Sequence, residues 1–361
     1  MDNVGIGMIG SGYMARTYTE GISKYNEGGT LVAVAGGTRA PGLAEDYGMD
    51  VEPSLDALLS RSDVDAVLVA TPHQVHAEQV IAAAEHGKHV LVEKPMATNV
   101  ADCDAMIAAC EKAGVTLSVI QTLRYRGVFK RAKQLIDEGR IGKVHMTQFT
   151  SLWTWYHQTK TWLDEPESGG SFLDRGAHIC DALRWLTGDE PSRVFGSVGS
   201  TKGEAWKAMN AVIQIQFVGG ASAQSWMSHE LPQPGFPDTR YLARIYGEKG
   251  IIEADGFAKL RIADSGEWED VWEMPKIDPV GRPNDPNRLE AFYLQTQDFI
   301  SSLREEREPD VSGKDGRAAI EMVQGAYMSS LSGAAVQLPL PRQEQGFQFD
   351  GATVSRKRIP G

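Results

Sequence analysis

Three cysteines in 361 residues (Cys103, Cys110 and Cys180) are too few and too scattered for a disulfide framework or a zinc site, and they suit a reducing cytosol. No window approaches the roughly 18–20 uninterrupted apolar residues that a membrane span needs, so no membrane role is expected. Positive charge is in deficit: 36 Lys and Arg against 48 Asp and Glu leave a net charge of −12. Such a surface repels phosphate backbones, and without a basic stripe nucleic acid is not an expected partner. The start, Met1-Asp2-Asn3, has no basic stretch and runs straight into an apolar segment, which argues against a signal peptide and for a cytoplasmic protein. Internal repeats and low-complexity tracts are also missing. What is there, 42% hydrophobic and 23% charged residues, is the composition of an ordinary globular protein long enough for two domains.

The first third alternates strand-like and helix-like signals. Short apolar runs occur at Val4–Ile9, Leu31–Ala35, Ala66–Ala70, His89–Val92 and Thr116–Ile120. Continuous apolar strands are expected where both faces of a parallel sheet are covered. Helical stretches such as Gln74–His86 and Val100–Ala113 lie between them, each followed by a glycine. The pattern predicts a doubly wound α/β domain over residues 1–122. After a helix around Phe129–Glu138 the character changes. Val144–Ser151, Val194–Val198, Ala211–Phe217, Ala221–Trp226, Tyr241–Tyr246 and Gly250–Ala254 read as strands, with alternation in Val212–Phe217. A mostly antiparallel sheet with one face on helices is expected for residues 123–361. Helices near Asn287–Arg304 and Gly316–Ser330 complete that domain.

Gly10-Ser11-Gly12-Tyr13-Met14-Ala15 directly follows the first strand and opens a helix. In that context G-x-G-x-x-A has a mechanism. Gly10 makes the tight turn, Gly12 lets backbone approach a pyrophosphate, and Ala15 permits close helix–strand packing, while the helix N-terminus favours the anion. A Rossmann domain for NAD(P) is the expectation. The second strand ends in Gly36-Gly37-Thr38-Arg39, with none of the carboxylate that usually holds the ribose of NAD. A hydroxyl with a guanidinium suits a 2′-phosphate, which favours NADP; a solvated Arg39 is the bland alternative.

Glu93-Lys94-Pro95 closes the fourth apolar run, at the strand edge where open α/β sheets bind ligands. A lysine there can polarise an alcohol oxygen, although a lone lysine is more often on the surface. Further on lies Gly169–Asp181. If a helix begins near Asp174, then Asp174 and His178 share a face. A carboxylate beside an imidazole fixes its tautomer and stabilises its charged form, as a base taking an alcohol proton requires. The alternatives are an Asp174 N-cap and a packed His178.

Taken together, these residues resemble the glucose–fructose oxidoreductase/inositol dehydrogenase/MocA (Gfo/Idh/MocA) family over nearly the whole chain. The resemblance rests on Gly10–Ala15, Ala70-Thr71-Pro72 with His76, Gly87–Pro95, Ile136–Gly142, Gly169–Asp181, Phe292–Ile300 and Ser312–Gly316. It implies a Rossmann domain plus an α/β domain whose large open sheet commonly builds dimers or tetramers. It implies Lys94, Asp174 and His178 as the catalytic group of a sugar, cyclitol or glycoside dehydrogenase. The cofactor site is then expected to comprise Gly10, Gly12, Tyr13, Met14, Thr38, Arg39, Thr71, Pro72, His76, Glu93, Lys94 and Gln121. The substrate site is expected to comprise Lys94, Arg124, Trp153, Tyr156, Trp162, Asp174, His178 and Asp181; aromatic rings suit sugar faces, or equally core packing. The arginine that often follows the family's tryptophan is Leu163 here. No metal site is expected, since His73 and His76 have no carboxylate or thiolate cluster nearby. Two rivals stand beside a plain dehydrogenase. One is transient oxidation with a retained cofactor, as in glycoside cleavage by elimination. The other is a non-catalytic nucleotide or sugar sensor, disfavoured because Lys94, Asp174 and His178 are all present.

Overall fold

Val4–Ile9 is the first strand, β1, and every one of its residues is buried because sheet partners and helices enclose it. The computed structural model describes residues 2–153, 165–201, 205–236, 241–275, 284–347 and 349. The chain divides into two compact units: unit 1 is Met1–Ala97, Ala101–Tyr125 and Ile277–Arg317, and unit 2 is the rest.

Unit 1 contains β1, α1 (Tyr13–Tyr25), β2 (Gly29–Ala35), α2 (Ala40–Tyr47), β3 (Asp50–Glu52), α3 (Leu55–Leu59), β4 (Ala66–Val69), α4 (His76–Glu85), β5 (His89–Val92), α5 (Val100–Ala113) and β6 (Leu117–Val119). All six strands run parallel in the order β3-β2-β1-β4-β5-β6. This is the doubly wound sheet the alternation predicted. Beyond expectation are β3 and α3: β3 is a three-residue edge strand with two carboxylates, and α3 is only five residues long. In unit 2, the elements run from α6 (Gly127–Asp137), β7 (Val144–Leu152) and α7 (Gly170–Thr187) to β8 (Pro191–Gly199), β9 (Asn210–Phe217) and β10 (Ser222–Ser228). They continue as β11 (Leu242–Gly247), β12 (Ile251–Asp255), β13 (Lys259–Ala263) and β14 (Glu269–Glu273). Helix α8 (Pro286–Glu305) then returns to unit 1, before α9 (Gly313–Ser332) and β15 (Val336–Gln337).

The expected single boundary after residue 122 therefore differs from the structure. Phe299, Ile300 and Leu303 of α8 sit in one core cluster with Val4, Ile6, Met8 and Tyr18. Two helices bury α1 more widely than one sheet face would, and Gly21 allows the approach, since a Cβ there would stand 3.2 Å from Cβ of Tyr293. Nothing in the local sequence of α8 says which core receives its apolar face.

The nine-stranded sheet of unit 2 has the order β14-β13-β12-β11-β7-β10-β9-β8-β15. Every pairing is antiparallel except β7 with β10. Along β9, Ala211, Ile213, Ile215 and Phe217 are buried while Val212, Gln214 and Gln216 are exposed, the period-two pattern of a half-covered sheet. Strands β13, β14 and β15 escaped the sequence reading because they are short, and β14 is largely charged. Among the described residues no helix is long and apolar enough to cross a membrane.

Candidate active site

In unit 1 the strand order reverses between β1 and β4, and ligands of such sheets bind beyond the carboxyl ends of the strands at that point. The loop there is tight. Gly10 has φ +100°, its N–H donates to Ala35 O at 2.8 Å, and a Cβ on it would lie 2.7 Å from Ala70 O. Gly12, the N-cap of α1, is the opposite case: a Cβ there would meet nothing within 4 Å, and no side chain caps the first turn of α1. An open face of bare backbone at the N-terminus of a thirteen-residue helix fits a phosphate. Ala15 is fully buried in the core and Met14 packs on it. Tyr13 is half exposed beneath the Arg288 guanidinium, 5.0 Å from the ring centre. Thr38 and Arg39 are exposed beyond β2, and Pro72 beyond β4, while half-buried Thr71 donates from Oγ1 to Gln79.

The segment after β5 is more enclosed. Glu93 is buried; its Oε1 accepts from Tyr18 Oη at 2.5 Å and its Oε2 from the Lys94 N–H at 2.8 Å. Burial, reinforced by the Glu93 charge, pushes the Tyr18 phenol well above its ordinary pKa, so it stays a donor. His76 is fully buried, with Nδ1 3.0 Å from Pro95 O and Nε2 3.0 Å from Thr71 O. Its place is thus a bridge between two loops of the expected cofactor site. Lys94 itself is half buried. Gln121 is buried, its N–H donating to Gln295 Oε1 at 2.9 Å. Arg124, expected near substrate, is 9% exposed and holds Asp315 Oδ1 and Asp310 O with its guanidinium. The Ser312–Gly316 motif explains that pairing. Ser312 and Asp315 form a reciprocal capping box at the start of α9, and a Cβ on Gly316 would come within 2.7 Å of Val119.

In unit 2, α7 begins at Gly170, one turn before the expected start, so Asp174 is not its N-cap. Gly169 and Gly170 both have positive φ, and a Cβ on Gly170 would lie 2.5 Å from Trp206 O. The entry is closed by Tyr327 Oη donating to Gly169 O at 2.6 Å. Nearly all of α7 is buried, yet Ser171, Asp174, His178 and Asp181 form one polar row at steps of three and four residues. Exposures of 1% for Asp174, 7% for His178 and 1% for Asp181 mark a row kept from water despite its cost. Arg175, beside this row, is buried, donates to Tyr241 Oη and lies 5.2 Å from the Trp153 ring centre. Trp153, expected against a sugar, packs edge-on to Tyr241 and Phe257. Tyr156 and Trp162 lie outside the described residues.

Sequence reasoning missed Tyr18 and the Arg175–Tyr241 pair. The only signal for Tyr18 was a phenol on the core-facing side of a helix, which must find a partner when buried. Among the described residues no group of three His, Cys, Asp or Glu side chains could hold a metal ion.

Residues 4–121 match the oxidoreductase family with NAD-binding Rossmann fold, and residues 129–253 match the GFO/IDH/MocA C-terminal domain. A 2,7-anhydro-N-acetylneuraminate hydratase of Mediterraneibacter gnavus is 34% identical over 71% of this chain and 68% of its own. A myo-inositol 2-dehydrogenase of Thermotoga maritima is 30% identical over 92% of this chain and 98% of its own. Among solved structures, aldose–aldose oxidoreductase of Caulobacter crescentus, complexed with glycerol, superposes with a TM-score of 0.80 at 27% identity, covering 93% of this chain and all of that one. With the two-part match covering both domains, the parallel sheet in agreement and a myo-inositol 2-dehydrogenase among the relatives, the chain belongs to the Gfo/Idh/MocA family and is an oxidoreductase acting on CH–OH groups.

Proposed function

We propose that this protein oxidises, or in reverse reduces, one secondary alcohol carbon of a sugar, cyclitol or glycoside with a nicotinamide cofactor, using Lys94, Asp174 and His178 for the proton. The observation that carries this reading is the buried carboxylate–imidazole–carboxylate row on α7. A carboxylate one turn from an imidazole orients it and stabilises the imidazolium, and low dielectric strengthens the effect. His178 takes the hydroxyl proton. The Lys94 ammonium steadies the oxygen as negative charge develops on it. Ser171 and Asp181 lie on the same helix face as Asp174 and His178. When bound, the nicotinamide supplies the hydride acceptor or donor. Gly10, Gly12 and the N-terminus of α1 hold its pyrophosphate in this reading, and unit 2 holds the alcohol. Thiol chemistry is not needed: all three cysteines are buried, and burial alone pushes the Cys110 thiol up to about 11.

Finer points of the proposal rest on single features. Exposed Thr38 and Arg39, with no carboxylate at the end of β2, favour NADP over NAD. The outward face of the nine-stranded sheet, with Met146, Phe195, Val212 and Trp226 exposed, suits a homodimer or tetramer. Buried free thiols suit a reducing, cytoplasmic compartment.

The test is reduced-nicotinamide absorbance with NAD⁺ and NADP⁺ separately, across cyclitols, aldoses and glycosides. One strong alcohol–cofactor pair is expected. No signal, together with no nucleotide released on denaturation, overturns the reading. A second reading, transient oxidation with a retained cofactor, is favoured by the name of the 34%-identical relative, since hydration is not a net redox change. It is distinguished by product formation without stoichiometric reduced nicotinamide.

A further inference from the structure

We infer that Tyr18 and His76 are positioning residues for Lys94, holding its main chain from both sides through Glu93 and Pro95. The inference rests on the proposed role of Lys94 and concerns how its ammonium is aimed. A lysine head group swings on four rotatable bonds, so its aim depends in part on the fixing of its root. Useful catalytic geometry has a tolerance of about 0.5 Å.

The ladder of the sheet supplies that fixing only as far as Glu93, whose N–H donates to Val69 O at 2.9 Å. Beyond this point the chain leaves β5, and side chains take over. On the near side, one Glu93 oxygen accepts the Lys94 N–H and the other accepts the Tyr18 phenol, so the carboxylate is pinned between α1 and the lysine's own backbone. On the far side, the His76 ring stands 3.0 Å from Pro95 O and 3.0 Å from Thr71 O; its one N–H, in the neutral ring, donates to one of these carbonyls, and the ring sits between the segment after β5 and the loop after β4. Both Tyr18 and His76 are fully buried, so water does not compete for these bonds. Each brace also comes from a helix that starts at an expected cofactor loop. Helix α1 follows Gly10–Gly12 and α4 follows Thr71-Pro72. Lysine and nucleotide loops are thereby set on one frame.

Tyr18→Phe removes one oxygen and keeps the ring; His76→Leu removes the bridge, and His76→Gln retains an amide donor. Turnover is read with the panel alcohol that the unaltered protein oxidises fastest, at a temperature where melting curves show each variant folded. Cofactor affinity is read from quenching of tryptophan fluorescence by NADH and NADPH. Tyr18→Phe and His76→Leu are expected to lower kcat about ten- to a hundredfold, as misplacement of a catalytic group does. Nucleotide affinity of Tyr18→Phe should stay within about twofold, and His76→Gln should recover part of the kcat loss, since an amide restores one hydrogen bond. In the Lys94→Ala background neither substitution should lower the residual rate further, because all act through one group. If either variant fails to fold, the other carries the test. Wild-type kcat in the folded variants, or losses that add fully to that of Lys94→Ala, overturns the brace. Wild-type kcat in Lys94→Ala itself would instead remove the proposed role of the lysine, and the brace with it.

Discussion

Arg124 Nη2 lies 3.1 Å from Asp315 Oδ1, and that carboxylate also accepts from the Ser312 N–H and hydroxyl through its other oxygen. The arginine is therefore part of the joint between β6 and the start of α9. Removing one partner leaves a largely buried charge uncompensated, at a cost of about 3 kcal/mol. Arg124→Met is expected to lower stability by about that amount in a denaturant titration, while KM for the alcohol stays near its original value. A raised KM at unchanged stability would return Arg124 to the substrate site.

Lys94→Ala and His178→Ala should each lower kcat by roughly a hundredfold or more, the usual worth of a general acid–base group. Nucleotide affinity, measured by fluorescence titration, should survive both changes. Near-original turnover in both variants would remove them from the chemistry.

The two loop glycines should separate binding from folding. Gly12 has φ −76° and open space at its Cβ position, so Gly12→Ala should melt within a few degrees of the unaltered protein. Its nucleotide affinity should nevertheless fall at least about tenfold, because the methyl occupies the face a pyrophosphate needs. Gly10→Ala should instead destabilise the chain, its Cβ being forced against Ala70 O at positive φ. Unchanged NADH and NADPH binding by Gly12→Ala would argue against this loop as the phosphate site.

Burial, assisted by the Lys94 charge, holds the His76 pKa below 6.5 despite the Thr71 and Pro95 carbonyls, which favour the charged ring. The unfolded chain binds a proton there before the folded one does. The associated stability is therefore complete above pH 6.5 and is lost as the pH falls below it. His89, also lowered by burial, contributes in the same direction. Tm should drop between pH 7.5 and 5.5, and His76→Gln should flatten that slope; an unchanged slope would mean that His76 is not held neutral.

Val212 and Trp226, 56% and 45% exposed, are paired in register on neighbouring strands β9 and β10. If copies associate through this face, Val212→Lys with Trp226→Lys should reduce the particle size in light scattering while leaving each chain folded. An unchanged assembly would place the contact elsewhere.

Much of the architecture was legible in the sequence because it is governed by short-range physics. Continuous apolar runs, helix-closing glycines and the glycine turn after the first strand sufficed for the parallel sheet. Asp174 and His178 on one helix face followed from a four-residue step. Tertiary structure decided the rest, where the partner is far away along the chain. Helix α8 joins the core of β1 because its apolar stripe meets α1, some 270 residues earlier. Arg124 turns to Asp315, Trp153 to Tyr241, and Tyr18 to Glu93 because a buried charge, indole or phenol must find a matching group, and only the folded chain settles which one is within reach.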